Sequence, residues 1–423
     1  VREGVTLTIA TQLGTWPLTA AIFNTFSPYA VLANLAVVPA VGATMLLGFV
    51  QLLLSPVAPL AQGVANINAW LFAWMTASVH AVASLPGSSI PVTPAPSWAI
   101  ACYEAAVVGG ASLWRMGRRR AALSALALAA IAVIAPPRVP DHRLRVTVLD
   151  VGQADSIVIQ TPGGHALLVD GGGRLERGAP RPGDSSAERI GERVVVPFLL
   201  RSGIHHLDAL LLSHPHGDHV GGCAPVLRKI RVAEIADSGQ VYGGHAYHDC
   251  LDTAAAERVP IVYPRAGTVW RTDDGVTLTF IGPSLPFIAG KNAINDNSIA
   301  FMLEYRHFRM LFTGDAGVAA EQRFLNEGVN LHAEVLKVGH HGSAYSSSPT
   351  FIAAVNPRYA IVSVGRHNLF GHPAPSTIET LENAGARIYR TDEDAAATVT
   401  TNGTTVQLET MRDMWLQAYS SSR

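Results

Sequence analysis

Residues 209–219 read Ala209-Leu210-Leu211-Leu212-Ser213-His214-Pro215-His216-Gly217-Asp218-His219, an apolar run that breaks into imidazoles and a carboxylate. Four apolar residues bounded by polar ones read as a buried strand. The turn that follows carries the pattern HxHxDH, and packing does not account for it. Left without partners, such a cluster is costly to bury. Bound to a divalent metal it is reasonable, because neutral imidazole nitrogen and carboxylate oxygen suit zinc, manganese or iron. His214 and His216 are placed to reach one ion, and Asp218 and His219 a second, with Gly217 letting the backbone bend between them.

Outward from this stretch the 423-residue chain divides by composition. Hydrophobic residues make up 48% and charged residues only 15%, too apolar for an ordinary soluble protein. Among residues 1–114 only Arg2, Glu3 and Glu104 carry a formal charge. Residues 137–423 hold 26 basic against 30 acidic side chains, a formal net charge of −4. The break falls near Pro136-Pro137 and divides the chain into residues 1–136 and a domain over 140–415. The chain starts at Val1 without a charged leader and cleavage site, which reads as a cut into a longer protein. Cys102, Cys223 and Cys250 make no disulfide framework, although their number leaves a Cys223–Cys250 bridge open.

The first region offers five apolar stretches as membrane helices: residues 5–23, 29–54, 61–85, 98–114 and 121–135. Polar residues inside them, Asn34, Asn66, Asn68, His80 and Glu104, need partners or a water-lined path. Arg115, Arg118, Arg119 and Arg120 place their loop in the cytoplasm by the positive-inside rule. If residues 121–135 then cross, the C-terminal domain is extracytoplasmic; if they only lie against the bundle, it is cytoplasmic.

In the second region apolar strands repeatedly end in Asp or His followed by Gly. One ends at Asp170-Gly171-Gly172, where Asp170 suits a hydrogen bond that fixes the tautomer of a ligand histidine. Asp296-Asn297-Ser298 is expected to open a strand. Thr313-Gly314-Asp315 ends another, with Asp315 bridging two ions. Leu336-Lys337-Val338-Gly339-His340-His341-Gly342-Ser343 ends a further one. His340 comes first off that strand and is the favoured ligand of the second ion, but spacing leaves His341 open. Residues 365–373 form a loop whose His372 suits leaving-group protonation or phosphate contact. Rigid strands delivering side chains to one edge are the way α/β layers present chemistry.

These motifs together resemble the metallo-β-lactamase superfamily. That implies an αβ/βα sandwich with one or two divalent ions, zinc or manganese, at its edge. More narrowly, residues 149–156, residues 336–343 and Asn368-Leu369-Phe370-Gly371-His372-Pro373, behind a polytopic all-α membrane region, are similar to the ComEC-type DNA-uptake channels of natural competence. The resemblance implies a cytoplasmic-membrane location and a nuclease acting on duplex DNA to leave a single strand. It further implies contact with lipid and other uptake proteins, and possible self-association. Asp218 and Asp170 then serve the catalytic centre, while Ser343, Lys337 and His372 contact phosphate. Two departures stand out. Ala154 replaces a glycine in the turn Gly152-Gln153-Ala154-Asp155. The third histidine that the wider superfamily gives the first ion is missing, the matching stretch being Asp296-Asn297-Ser298. A membrane-anchored hydrolase of small esters and a non-catalytic docking domain are the rival readings.

Overall fold

The computed structural model describes residues 2–23, 25–92, 95–134, 142–175 and 188–421. The boundary expected at Pro136-Pro137 lies outside them, as does most of the polar stretch 174–193. The chain forms two compact units, residues 1–138 with 200–203, and residues 139–199 with 204–423.

The first unit is helical: Arg2–Phe23, Ala30–Leu53, Ala58–Ala83, Ser97–Arg115 and Arg119–Ile134. Each expected apolar stretch therefore lies on a helix. Among the described residues only Ala30–Leu53 is long and apolar enough to cross a membrane, with a mean hydropathy of 2.0 in its most apolar window. The others fall short for visible reasons: Arg119–Ile134 has 16 residues, and Ala58–Ala83 carries Gln62, Asn66, Asn68 and His80. Some polar groups inside this unit find partners. Trp16 Nε1 donates to the Tyr103 hydroxyl at 2.7 Å, and that hydroxyl donates to the Leu13 carbonyl at 2.9 Å. Gln62 Nε2 donates to Asn66 Oδ1 at 2.9 Å. Asn68 Oδ1 and Glu104 Oε1 are buried without a hydrogen-bond partner.

The second unit is a sandwich of two mixed sheets. One runs, edge to edge, Ile261–Val262, Ile235–Asp237, Ala209–Leu212, Ala166–Val169, Ile157–Gln160, Leu144–Val148, Ala397–Thr401, Val406–Thr410. The other runs Val269–Arg271, Val276–Gly282, Ala300–Tyr305, Phe308–Phe312, Val335–Lys337, Tyr359–Val362, Arg387–Arg390. Alternate residues of both sheets meet in a single core, among them Val146, Ile159, Leu211, Phe280, Phe301 and Phe312. The opposite face of the second sheet packs under helices Val318–Asn326, Pro349–Val355 and Pro375–Asn383 through Phe324, Ile352 and Leu381. Leu168, Leu210 and Leu212, which point away from the shared core, are buried as well. Parallel strands covered on both faces read as continuous apolar runs, which is why Ala209–Leu212 stands out in the sequence.

Parallel strands in each sheet end at one edge. Ala166–Val169 and Ala209–Leu212 are parallel neighbours, and Phe308–Phe312, Val335–Lys337 and Tyr359–Val362 are three more. Their ends deliver Asp170, His214, Asp315 and His341. The strand expected at residue 298 begins at Ala300, because residues 293–296 form a short helical turn and Asn297 holds the Ile288 backbone through both N–H and carbonyl. Ala154 sits outside the left-handed region that Gly152 occupies at φ 76°, so the substituted turn closes on one glycine.

Candidate metal centre

The centre is built on a strap of glycines. Gly171 N donates to the His219 carbonyl at 2.7 Å, and Gly222 N to the Gly172 carbonyl at 2.8 Å. A Cβ on Gly173, at φ 144°, would meet the Gly217 carbonyl oxygen at 2.1 Å. Only glycine allows this approach, and it presses the end of Ala166–Val169 onto the turn that carries Asp218 and His219.

Asp170 then orients the first imidazole. Its Oδ1 accepts the Ser213 N–H at 2.8 Å, and its Oδ2 accepts the Ser213 hydroxyl at 2.7 Å and faces His219 Nδ1 at 2.8 Å. That contact keeps a proton on His219 Nδ1 and makes Nε2 the nitrogen turned to the cavity. The Ser213 hydroxyl has given its hydrogen to Asp170, so it accepts from His214 Nδ1 at 3.1 Å, and His214 Nε2 is an acceptor 3.0 Å from His216 Nδ1. His341 Nδ1 donates to the Ser363 carbonyl at 2.9 Å, which turns its Nε2 to the cavity in the same way.

Asp315 stands at the middle. Its Oδ2 lies 3.4 Å from His219 Nε2, 3.8 Å from both His340 Nε2 and His341 Nε2, and 3.9 Å from His214 Nε2. Burial works against the Asp315 charge, but His219, His341 and His340 hold its pKa well below the ordinary carboxylate range. His219 is the converse: burial lowers its pKa, and Asp315, Asp170 and Asp218 together raise it well above the usual value. A dication among these carboxylates would meet the same negative charge through the Nε2 lone pair. Burial, aided by the neighbouring charge of His219, pushes His214 far down, so it is a neutral donor.

Donor atoms of Asp218, His219, Asp315 and His341 all lie within 4.8 Å of one another, and all four residues are buried. Asp218 Oδ1, Asp315 Oδ1, His219 Nε2 and His341 Nε2 are buried with no hydrogen-bond partner. Orphaned polar atoms of this kind are rare and costly, and a divalent ion satisfies all of them. The residues fit such an ion. A further group, Asp155, Asp170 and His219, also lies close together, but its carboxylates are already engaged by Lys337, Ser213 and His219.

Three sequence expectations need correction. His341, not His340, joins the compact group; His340 is partly exposed, with its Nε2 3.3 Å from Asn295 Nδ2. Lys337 does not face phosphate: its side chain is 1% exposed and its Nζ pairs with Asp155 Oδ2 at 2.7 Å. Ser343 is buried too, its hydroxyl accepting the Tyr345 N–H at 3.2 Å. Both therefore support the centre from behind. His372 does reach it, with its ring 5.7 Å from His340 and 6.5 Å from His341. Gln153 Nε2 lies 3.2 Å from His372 Nδ1 while Gln153 Oε1 accepts the Gly365 N–H, which puts the His372 proton on Nε2. Burial, with His340 and His341 beside it, lowers the His372 pKa to about 4. Near neutrality it is a neutral hydrogen-bond donor, not a proton-carrying acid. Asn295 went unremarked in the sequence, where nothing sets it apart from Asn292 or Asn297. Cys223 and Cys250 are free buried thiols.

Asp170→Asn is the direct check on this architecture. An amide beside His219 Nδ1 favours the other tautomer and puts a proton on the ligating Nε2. Affinity for manganese or zinc is expected to fall about 10- to 100-fold, read by titration calorimetry, with an unchanged circular dichroism spectrum.

Comparison with known proteins agrees with this arrangement. Residues 149–366 match the family model described as the metallo-beta-lactamase superfamily, and residues 1–117 match one described as competence protein. The chain is 32% identical over 251 residues to ComE operon protein 3 of Bacillus subtilis, covering 59% of this chain and 32% of that protein. It is 30% identical over 274 residues to Competence protein ComA of Neisseria gonorrhoeae, covering 64% of this chain and 34% of the relative. It is 28% identical over 247 residues to Recombination protein 2 of Haemophilus influenzae, covering 58% and 27%. The chain thus spans about a third of the length of these relatives. With just over half its length inside the matching model, the chain belongs to the metallo-beta-lactamase superfamily and joins that domain to a competence-protein region.

Proposed function

We propose that the chain takes part in DNA uptake across the cytoplasmic membrane during natural transformation, with its metal centre acting as a phosphodiesterase on incoming DNA. The observation that carries the chemistry is the buried, unpartnered set Asp218, His219, Asp315 and His341 at the edge where strands of both sheets end. The competence match over residues 1–117, and the names of the relatives, supply the DNA.

When bound, a divalent ion supplies a water of lowered pKa and draws charge from a phosphodiester oxygen. The chain does the rest. Asp170 and the Ser363 carbonyl hold two imidazoles in the tautomer that offers Nε2. His372, neutral and fixed by Gln153, offers an Nε2–H to a phosphate oxygen. Phe370 stacks on His372 at 5.6 Å and is itself exposed, as is Leu369. An exposed aromatic ring next to the phosphate position suits an unstacked base and favours DNA over a small ester, which wants an enclosed apolar pocket. With a net charge of −4 over residues 137–423, the domain lacks a general basic surface, so DNA is held by the ions and by these local contacts.

The helices carry many exposed large apolar side chains, among them Leu46, Phe49, Leu52 and Trp70, and this reading sets them against lipid, other segments of the channel, or further copies of the chain. By the positive-inside rule the arginines at 115, 118, 119 and 120 face the cytoplasm, and the metal centre works on the outer side only if the 16-residue helix Arg119–Ile134 crosses the membrane.

The test is hydrolysis of a labelled duplex by the 423-residue chain in detergent, with manganese or zinc. The expected outcome is metal-dependent cleavage of one strand, abolished by chelation. A folded, metal-loaded chain that leaves DNA intact would overturn the nuclease, and one that instead cleaves small esters would support the rival hydrolase.

A further inference from the structure

The rim of the metal centre is apolar where a grip on duplex DNA calls for basic residues. On the side of the first sheet, the strand Ile235–Asp237 runs on into Ser238-Gly239-Gln240-Val241-Tyr242-Gly243-Gly244, which holds no charged residue. Val241 is 99% exposed, and the Tyr242 ring meets the His216 ring edge-on at 5.3 Å. On the side of the second sheet, the loop after Tyr359–Val362 leaves Leu369 80% and Phe370 46% exposed, with Phe370 stacked on His372. Arg366, the one Lys or Arg of residues 365–373, donates through Nε and Nη2 to the Asp392 carbonyl at 3.2 and 2.9 Å.

The loop that carries Tyr242 is anchored. Buried Gln240 donates through Nε2 to the Ile294 carbonyl at 2.9 Å and to the Asn297 carbonyl at 3.2 Å. The Gly239 N–H donates to the Asp237 carboxylate. The loop is thereby tied to the turn that leads into Ala300–Tyr305 of the other sheet. A ring held this way gives up little freedom when a ligand settles on it.

These features separate two forms of DNA. A duplex turns its phosphates outward and keeps its bases inside, so a protein that grips it needs a basic face, and its affinity falls steeply with salt. An unpaired strand offers base faces, which aromatic rings accept whatever the sequence. Tyr242 stands beside His216 and Phe370 beside His372, so a phosphate at the metal centre has a ring on either flank for its neighbouring bases.

We propose that Tyr242 and Phe370 are paired base platforms that make the centre selective for an unpaired strand, so that a duplex is cut only where it opens. The inference rests on the phosphodiesterase reading and can fail without it.

The experiment compares manganese-dependent cleavage, by the 423-residue chain in detergent, of a labelled single strand, the same sequence as a duplex closed by hairpins at both ends, and a strand of abasic residues. The single strand is expected to be cut at least about tenfold more efficiently than the closed duplex. Its KM is expected to rise less than about threefold between 50 and 200 mM salt, as for one phosphate contact on a single strand. Tyr242→Ala and Phe370→Ala are each expected to raise that KM about tenfold, and Tyr242→Phe, which keeps the ring, to restore it. On the abasic strand the two alanine variants should match the wild type, because there is no base to lose. Equal cleavage of single strand and closed duplex, an unchanged KM in both alanine variants, or an equal loss on the abasic strand would each overturn the platforms and leave the nuclease standing. A metal-loaded chain that cuts none of the three would overturn both.

Discussion

Replacing Asp315 by alanine is expected to abolish metal-dependent hydrolysis and to leave the sandwich folded. The Asp315 carboxylate lies within 4 Å of His214, His219, His340 and His341 alike. Its removal takes the central negative charge from four imidazoles and from any ion they hold. Metal-assisted charge stabilisation is worth several kcal/mol in the transition state, and ~4 kcal/mol corresponds to about a thousandfold in rate. The loss is to be read as kcat/KM on a labelled duplex at saturating manganese, with metal content measured in parallel. Full activity in Asp315→Ala, with metal content unchanged, would place the chemistry elsewhere. Asp315→Asn separates charge from shape: an amide keeps the volume, and the expected loss is nearly as large.

The second large effect concerns stability. Lys337 and Asp155 form a buried pair at 2.7 Å, with side chains 1% and 2% exposed. Lys337 also donates to the Val338 carbonyl at 3.0 Å. Lys337→Met removes one partner and strands a carboxylate in the interior, a change that typically costs about 3–5 kcal/mol. For a domain of this size the melting temperature is expected to fall by on the order of 10 °C, followed by calorimetry. The double variant Lys337→Met with Asp155→Leu is expected to recover most of that loss, because replacing a buried pair by apolar side chains is often neutral. If Lys337→Met melts with the wild type, the pair is not what holds this edge. Asp155 Oδ1 also lies 3.6 Å from His341 Nδ1, so the double variant should regain stability without regaining full metal affinity.

Much of this was legible in the chain. The strand before the HxHxDH turn announced itself because a strand buried on both faces must be apolar throughout. Asp170, Asp315 and the His340-His341 pair were visible as polar residues stranded at the ends of apolar runs. What stayed hidden depends on contacts between distant residues. Nothing near Lys337 tells that its partner lies 182 positions away, and a lysine beside histidines invites a phosphate. The choice between His340 and His341 turned on two consecutive left-handed residues, a conformation that propensity does not foretell for histidine. Asn295 was hidden because its role depends on a short helical turn at residues 293–296, which a stretch rich in Asn and Asp does not announce.

The edge arrangement has a consequence for the life of the domain. His214, Asp218 and His219 extend from one sheet, and Asp315 and His341 from the other. An ion gripped by both acts as a rivet, since neither sheet alone presents a complete grip. Anything that binds the assembled state and not the open chain adds to its stability by mass action, ~4 kcal/mol when present at a thousand times its dissociation constant. A nascent domain thus cannot complete its ion site before its two halves have docked, and chelators should loosen the seam.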